Sequence, residues 1–108
     1  RWVYSKAAVY CATKFAVRAF GEGLRQDLLG TSIRVTTIEP GVVRTNLLGK
    51  YLEDKEKAQS FYSTLKPLEA SDIAETILWT INRPAHVNIQ EIVIYPTDQA
   101  SATVFNQK

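Results

Sequence analysis

A long helical repeat that runs almost directly into a strand pattern constrains the fold of this chain more than any other feature. From Ala7 to Leu29, small and apolar residues recur at helical spacing. Gly30 is a natural helix stop. The next segment, Ser32–Ile38, is β-branched and roughly alternating, which predicts a strand that Glu39-Pro40-Gly41 ends. Helix, short turn and strand in this order are half of a βαβ unit, so the pattern predicts an α/β fold with a parallel sheet.

The remaining chain adds two helices and one strand to this prediction. Leu52–Leu65 is helical in pattern and heavily charged on one side. Asp72–Asn82 has a clean amphipathic face, and Ser71 is placed to cap it. Val87–Tyr95 alternates and then becomes continuously apolar, as expected for a partly buried strand. The polar tail after it is predicted to be disordered or to form an oligomer contact.

One segment is predicted to cover a ligand. In open parallel sheets, ligands bind beyond the carboxyl ends of the strands, which is where Pro40-Gly41 lies. The segment from Val42 to Lys66 follows at once and is exposed and charged in composition. Its insertion between a strand and the next regular helix predicts a substrate lid over residues 42–66.

The first helix has an unusually small packing face at its start. Ala8, Ala12 and Ala16 stand where leucines are usual. Gly21 and Gly23 each cost about 1 kcal/mol relative to alanine inside a helix. Their presence predicts a core helix that another helix or a ligand approaches closely.

Tyr10 and Lys14 are the candidate catalytic pair. Four residues apart on a helix, they lie one turn from each other on the same face. A fixed positive charge beside a phenol favours the phenolate form, and a tyrosine so placed can act as general acid or base. The same spacing recurs at Tyr51/Lys55 and Tyr62/Lys66, where a solvated surface and a favourable helix end are the simpler explanations.

Composition excludes several functional classes. The net charge is +2 with dispersed basic residues, which indicates neither a nucleic-acid stripe nor a polybasic membrane patch. No apolar run reaches the roughly 18 residues of a membrane span. One cysteine gives no disulfide and no metal cluster, so we expect a cytoplasmic protein without a metal site. The chain has no methionine and opens on Arg1, which suggests a fragment.

Two motifs at a fixed distance carry a family resemblance. Tyr10-x-x-x-Lys14 opens the long helix, and thirty residues after the tyrosine comes Pro40-Gly41-Val42-Val43-Arg44-Thr45. Together they resemble the C-terminal half of a classical short-chain dehydrogenase/reductase. The segment Arg83-Pro84-Ala85-His86-Val87-Asn88-Ile89, with the last strand and Pro96-Thr97, is similar to the branch of NADP-dependent 3-hydroxy acid and serine dehydrogenases.

The resemblance implies a Rossmann-type, three-layer, doubly wound parallel sheet, of which residues 1–108 would form the C-terminal half. It implies hydride transfer between a nicotinamide cofactor, NADP with NAD as the alternative, and a small alcohol or carbonyl substrate. Tyr10 would be the general acid/base, and Lys14 would assist it and hydrogen-bond the nicotinamide ribose. The cofactor-binding residues implied are Tyr10, Lys14, Pro40, Gly41, Val42, Val43 and Thr45. Gly41 would let the backbone approach the nicotinamide, and Val43 and Thr45 would meet its carboxamide. A homodimer or homotetramer is expected.

Other parts of the family pattern are not in this sequence. The glycine-rich phosphate loop, the active-site serine and asparagine, and the residue that selects NAD or NADP would all lie before Arg1. Ser5 is too close to Tyr10 to be the serine. The 108-residue chain is therefore expected to be inactive by itself. The alternative is a non-catalytic truncated chain or pseudo-enzyme that acts only in subunit association.

Four further residues have ordinary explanations that outweigh functional ones. Cys11 is predicted to fill a gap on the helix and His86 to be structural or exposed. Trp79 is predicted to be a half-buried aromatic rather than a subunit contact. Arg44 is a weaker candidate for binding a substrate carboxylate or a cofactor phosphate.

Overall fold

The computed structural model describes residues 7–45, 55–101 and 103–107. The elements in chain order are helix α1 (Ala8–Asp27), strand β1 (Thr37–Pro40), helix α2 (Lys55–Thr64), helix α3 (Ala70–Ile81) and strand β2 (Glu91–Ile94). This is the predicted order of helix, strand, two helices and strand.

The chain divides into two compact units. The first comprises Arg1–Ile38 with Arg83–Ile92, and the second comprises Glu39–Asn82 with Val93–Lys108. Each strand contributes its first residues to the first unit and its last residues to the second.

The two strands pair in parallel. The Thr37 N–H donates to the Gln90 carbonyl and the Gly41 N–H donates to the Ile94 carbonyl. Partner numbers rise together along both strands, which is the parallel arrangement. The sheet that the sequence predicts is therefore present, with α-helices before and between its strands.

Both strands are shorter than predicted, because side chains replace the backbone ladder where the strands were expected to begin. The Val35 N–H donates to Asn88 Oδ1 at 2.9 Å, and Asn88 Nδ2 donates back to the Val35 carbonyl at 3.2 Å. The Thr36 hydroxyl donates to the Ile89 carbonyl at 2.7 Å. The two segments thus keep the register of the sheet without forming its regular hydrogen bonds.

Helix α1 ends as predicted but buries little of its apolar face. Gly30 follows the helix with φ +90°, a left-handed conformation that suits glycine. Cys11 and Gly21 are the buried residues of the helix, whereas Val17 is 61% and Phe20 69% exposed. The described residues therefore bury only part of the packing face predicted for this helix. Within the first unit, the helix meets β2 through an ion pair of 2.8 Å between Arg18 and Glu91.

Helix α2 supplies much of the core of the second unit. Tyr62 in the helix and Leu65 directly after it are buried, at 7% and 4% exposed. The helix begins at Lys55, and the predicted start at Leu52 lies outside the described residues. So does the Tyr51 member of the second tyrosine–lysine pair. The predicted lid function of residues 42–66 stays a prediction.

The N-terminus of α3 differs from the prediction. Ser71 lies inside the helix, whose N-cap is Glu69. The Asp72 carboxylate accepts the Glu69 N–H at 2.8 Å, as in a capping box. The prediction that Ser71 caps the helix is wrong, because an acidic residue three positions after Glu69 satisfies the free backbone donor instead.

The C-terminal tail is ordered in its described part. Gln99 and Phe105 form an antiparallel bridge, and the Asn106 N–H donates to the Asp98 carbonyl at 2.7 Å. The Phe105 ring packs edge-on against Phe61 of α2, with centroids 5.7 Å apart. We call residues 96–101 and 103–107 the tail hairpin. The prediction of a disordered tail is wrong for these residues, because side chains of α2 hold them.

Candidate active site

The tyrosine–lysine pair lies in the first turns of α1, within the first unit. Lys14 Nζ is 5.5 Å from the centroid of the Tyr10 ring, which is within the range of a cation–π contact. Tyr10 is 53% exposed, so about half of this residue is open to solvent. The helix therefore places an ammonium group beside a half-exposed phenol, the geometry that the spacing of the two residues predicts.

The third tyrosine–lysine pair has a structural explanation. The buried Tyr62 hydroxyl lies 3.3 Å from the carbonyl oxygens of both Val43 and Thr45 and 3.4 Å from the Thr45 nitrogen. It has one hydrogen to donate, so it serves one carbonyl at a time and can accept from the Thr45 N–H. Its neighbour Lys66 is exposed. Tyr62 thus holds backbone together and is not an accessible proton donor.

The segment from Pro40 to Thr45, which we call the Pro-Gly loop, lies in the second unit. Its backbone donors are almost all used within the chain. The Gly41 N–H donates to the Ile94 carbonyl at 2.7 Å, the Val42 N–H to Gln99 Oε1 at 2.9 Å and the Arg44 N–H to the Leu68 carbonyl at 2.8 Å.

Val43 is the exception in this loop. Its neighbours pair with Leu68 on one side: the Val42 carbonyl accepts the Leu68 N–H at 2.9 Å, and the two segments form a parallel bridge. The Val43 N–H points to the other side, and no acceptor for it lies among the described residues. Within the described part of the chain, Val43 is thus the backbone donor of this loop without an acceptor.

Gly41 packs closely against side chains of its own unit. A Cβ at this position would lie 2.7 Å from Tyr95 Cδ1 and closer still to Gln99 Oε1. The side of Gly41 on which a Cβ would stand is thus occupied by Tyr95 and Gln99. The expected approach of the Gly41 backbone to the nicotinamide stays a prediction. Gln99 was missed by sequence reasoning, because one polar residue in a polar tail gives no signal.

Arg44 is engaged within its own unit. Its Nε donates to Glu69 Oε1 at 2.9 Å, and its guanidinium carbon lies 5.4 Å from the Tyr62 ring centroid. These contacts tie the loop to the start of α3 and explain Arg44 without a ligand. Cys11 is buried, as expected of a gap-filling residue. Trp79 is 49% exposed, and His86 is exposed.

The predicted site residues fall in both units: Tyr10 and Lys14 in the first, and Pro40, Gly41, Val42, Val43 and Thr45 in the second. No group of three or more potential metal ligands occurs among the residues that the structure describes. Over the same residues, no helix is long and apolar enough to cross a membrane.

Comparison with known proteins decides the family. The model of the short chain dehydrogenase family matches residues 3–56, which is half of the chain. The chain belongs to the short chain dehydrogenase family.

Individual members of this family extend the similarity over nearly the whole chain. An uncharacterized oxidoreductase of Mycobacterium tuberculosis is 44% identical over 102 residues, covering 94% of this chain and 41% of the relative. The NADP-dependent 3-hydroxy acid dehydrogenase YdfG of Salmonella typhi is 42% identical over 103 residues, covering 94% of this chain and 42% of the relative. This short chain dehydrogenase sequence spans about two fifths of the length of the curated relatives it matches.

A solved structure supports the fold directly. The closed form of serine dehydrogenase complexed with NADP+ superimposes with a TM-score of 0.85 at 40% identity, over 95% of this chain and 42% of that chain. The fold class is therefore confirmed as part of a Rossmann-type α/β fold.

Proposed function

We propose that this chain supplies the catalytic tyrosine–lysine pair and the nicotinamide-facing loop of an NADP-dependent oxidoreductase that interconverts a small alcohol and its carbonyl. The observation that carries the proposal is the placement of Lys14 Nζ 5.5 Å from the ring centroid of a half-exposed Tyr10, in a member of the short chain dehydrogenase family.

The proton step belongs to Tyr10. In the reducing direction its hydroxyl donates a proton to the substrate carbonyl oxygen and becomes a phenolate; in oxidation the phenolate takes the alcohol proton back. The Lys14 ammonium stabilises the phenolate through its positive charge. NADPH, when bound, supplies the hydride that converts the carbonyl carbon to a carbinol. Proton and hydride together account for the two hydrogens that the carbonyl gains.

The chain's own residues fit a nicotinamide cofactor. The Val43 N–H, which no described residue accepts, is a donor that a carboxamide oxygen can accept from. Pro40 and Thr45, on either side of it, are exposed and can contact the same ring. Lys14 has ammonium protons left to donate to a ribose hydroxyl. NADP is the favoured form, because similar proteins include one named for NADP and one solved with NADP+.

Small β-hydroxy acids are the first substrate class to assay. Two relatives are named for 3-hydroxy acids and for serine, which is itself a β-hydroxy acid. The predicted lid over residues 42–66 would select among them. We also propose a homo-oligomer, because apolar residues of α1 and α3 are exposed.

Tyr10→Phe in the full-length protein tests the proposal. Phenylalanine keeps the ring under Lys14 but removes the donated proton. We expect turnover of 3-hydroxy acids or serine with NADP+ to fall by about 10²-fold or more, while NADP+ affinity stays within a few-fold of wild type. Turnover within tenfold of wild type would show that Tyr10 is not the acid/base.

Two lysine variants distinguish the proposed catalytic pair, Tyr10/Lys14, from the pair with the same spacing, Tyr62/Lys66. Lys14→Ala should weaken both cofactor binding and rate, because Lys14 acts on the phenolate and on the ribose. Lys66→Ala, the same change in the Tyr62-x-x-x-Lys66 pair, should alter neither. A wild-type protein that binds no dinucleotide at all would favour the association-only alternative.

A further inference from the structure

The side chain of Gln99, in the tail hairpin, forms a hydrogen bond with the Pro-Gly loop. It is only 9% exposed, although glutamine is a residue usually found at the surface. Its Oε1 accepts the Val42 N–H at 2.9 Å and its Nε2 donates to the Ser101 carbonyl at 3.0 Å. Both ends of the side-chain amide are therefore used, one on the loop and one on the hairpin.

The hairpin holds Gln99 in this position. The Gln99 N–H donates to the Pro96 carbonyl at 3.0 Å, and its backbone bridges to Phe105. The side-chain carbonyl also occupies the space where a Cβ at Gly41 would lie. Glycine at 41 and glutamine at 99 are thus complementary in shape as well as in hydrogen bonding.

The contact fixes a specific piece of backbone. The peptide between Gly41 and Val42 is held by Gln99, and the next peptide, between Val42 and Val43, is held by Leu68 through its carbonyl oxygen. Because a trans peptide carries its carbonyl and N–H on opposite sides, the second bond directs the Val43 N–H away from Leu68. Two consecutive fixed planes leave that N–H little freedom to turn.

We propose that Gln99 is a positioning residue for the nicotinamide: it fixes the Gly41–Val42 peptide and thereby orients the Val43 N–H, the backbone donor of the loop that no described residue accepts. The inference rests on the proposed function. Without Gln99, the Val42 N–H would also be unpaired, and the loop would lose the fixed plane that precedes Val43. Binding of the nicotinamide part of the cofactor would then require ordering the loop first, at a cost in affinity.

The test compares two ligands on the full-length protein with Gln99→Leu. NADPH carries the nicotinamide, whereas 2′,5′-ADP carries only the adenosine and phosphate part. We expect the Kd for NADPH to rise by about tenfold, the range of one lost hydrogen bond that leaves a donor unpaired, and the Kd for 2′,5′-ADP to stay within twofold. Gln107→Leu is the matched control, since Gln107 lies in the same hairpin and its side chain donates to the Thr64 hydroxyl at 3.0 Å, away from the Pro-Gly loop. Both dissociation constants of this variant should stay unchanged.

A second variant separates positioning from folding. Gln99→Glu keeps an oxygen that accepts the Val42 N–H, but when ionised it turns a second acceptor toward the Ser101 carbonyl. It should therefore recover part of the NADPH affinity that Gln99→Leu loses, and more of it at a pH low enough to protonate the new carboxyl. An NADPH affinity of Gln99→Leu within twofold of wild type overturns the inference. So does an equal loss for both ligands, or a Gln99→Glu protein that is as weak as Gln99→Leu also at the pH where its new carboxyl is protonated. If Tyr10→Phe stays active while Gln99→Leu shows the expected split, the proton assignment fails and the positioning role stands.

Discussion

Gly21 and Gly23 look alike in the sequence of α1, but their surroundings differ. A Cβ at Gly21 would lie 2.8 Å from Thr37 Oγ1, whereas a Cβ at Gly23 would meet no atom of the described residues within 4 Å. The close packing predicted at both glycines is therefore confirmed at Gly21 and wrong at Gly23. Periodicity cannot distinguish them, because the contact depends on a strand residue that follows the helix.

Substitution by alanine should change the free energy of unfolding differently at the two glycines. Gly23→Ala should raise the free energy of unfolding by up to about 1 kcal/mol through helix propensity. Gly21→Ala gains the same propensity but overpacks against Thr37, so it should be less stable than Gly23→Ala by about 1–3 kcal/mol. Urea denaturation of both variants checks the difference. Equal stability would mean that Thr37 moves aside at no cost.

At the scale of an element, the cap of α3 depends on Asp72. Its carboxylate accepts the Glu69 N–H at 2.8 Å. Asp72→Ala should lower the free energy of unfolding by about 0.5–2 kcal/mol. Ser71→Ala, one position away and inside the helix, should change it by less than about 0.5 kcal/mol. Thermal or urea unfolding of the two variants measures this, and a larger effect at Ser71 would restore the cap predicted from sequence.

The helices were predictable from the sequence, whereas the lengths of the strands were not. Helical periodicity and Gly30 locate α1 to within two residues at each end, because these signals are local. The predicted strands at Ser32 and Val87 begin late because the Asn88 side chain substitutes for backbone hydrogen bonds. That substitution joins residues 53 positions apart, so no local pattern reveals it.

In the candidate site, too, local features were predictable from the sequence and long-range contacts were not. Tyr10 and Lys14 were found from their spacing, since a helix converts four positions into one turn. Gln99 and the role of Tyr62 were not found, because each acts on backbone brought near only by folding. Sequence reasoning thus identifies groups predicted to touch a ligand more readily than groups that hold them in place.

At the scale of the whole molecule, many large apolar side chains are exposed to solvent. In α1 the exposed large apolar residues include Val9, Val17 and Phe20, and in α3 they are Ile77, Leu78, Trp79 and Ile81. Large apolar side chains exposed in such number on one helix indicate a surface that other protein covers.

The isolated 108-residue chain is therefore expected to self-associate. Light scattering should give a mass above that of one chain, rising with concentration. The double change Val17→Ser and Phe20→Ser should lower that mass, because it removes apolar area from one face of α1, whereas Val104→Ser in the tail should not. A chain that stays monomeric at high concentration would contradict this expectation.

The hydrogen bond between Gln99 and the Val42 N–H also constrains when the Pro-Gly loop can fold during synthesis. The two residues are 57 positions apart, so a ribosome that adds 5–20 residues per second makes the loop roughly 3 to 11 seconds before it makes the side chain that fastens it. During that interval the Val42 amide has no Gln99 to bind. On a nascent chain, the loop can reach its final shape only after the hairpin has been synthesised.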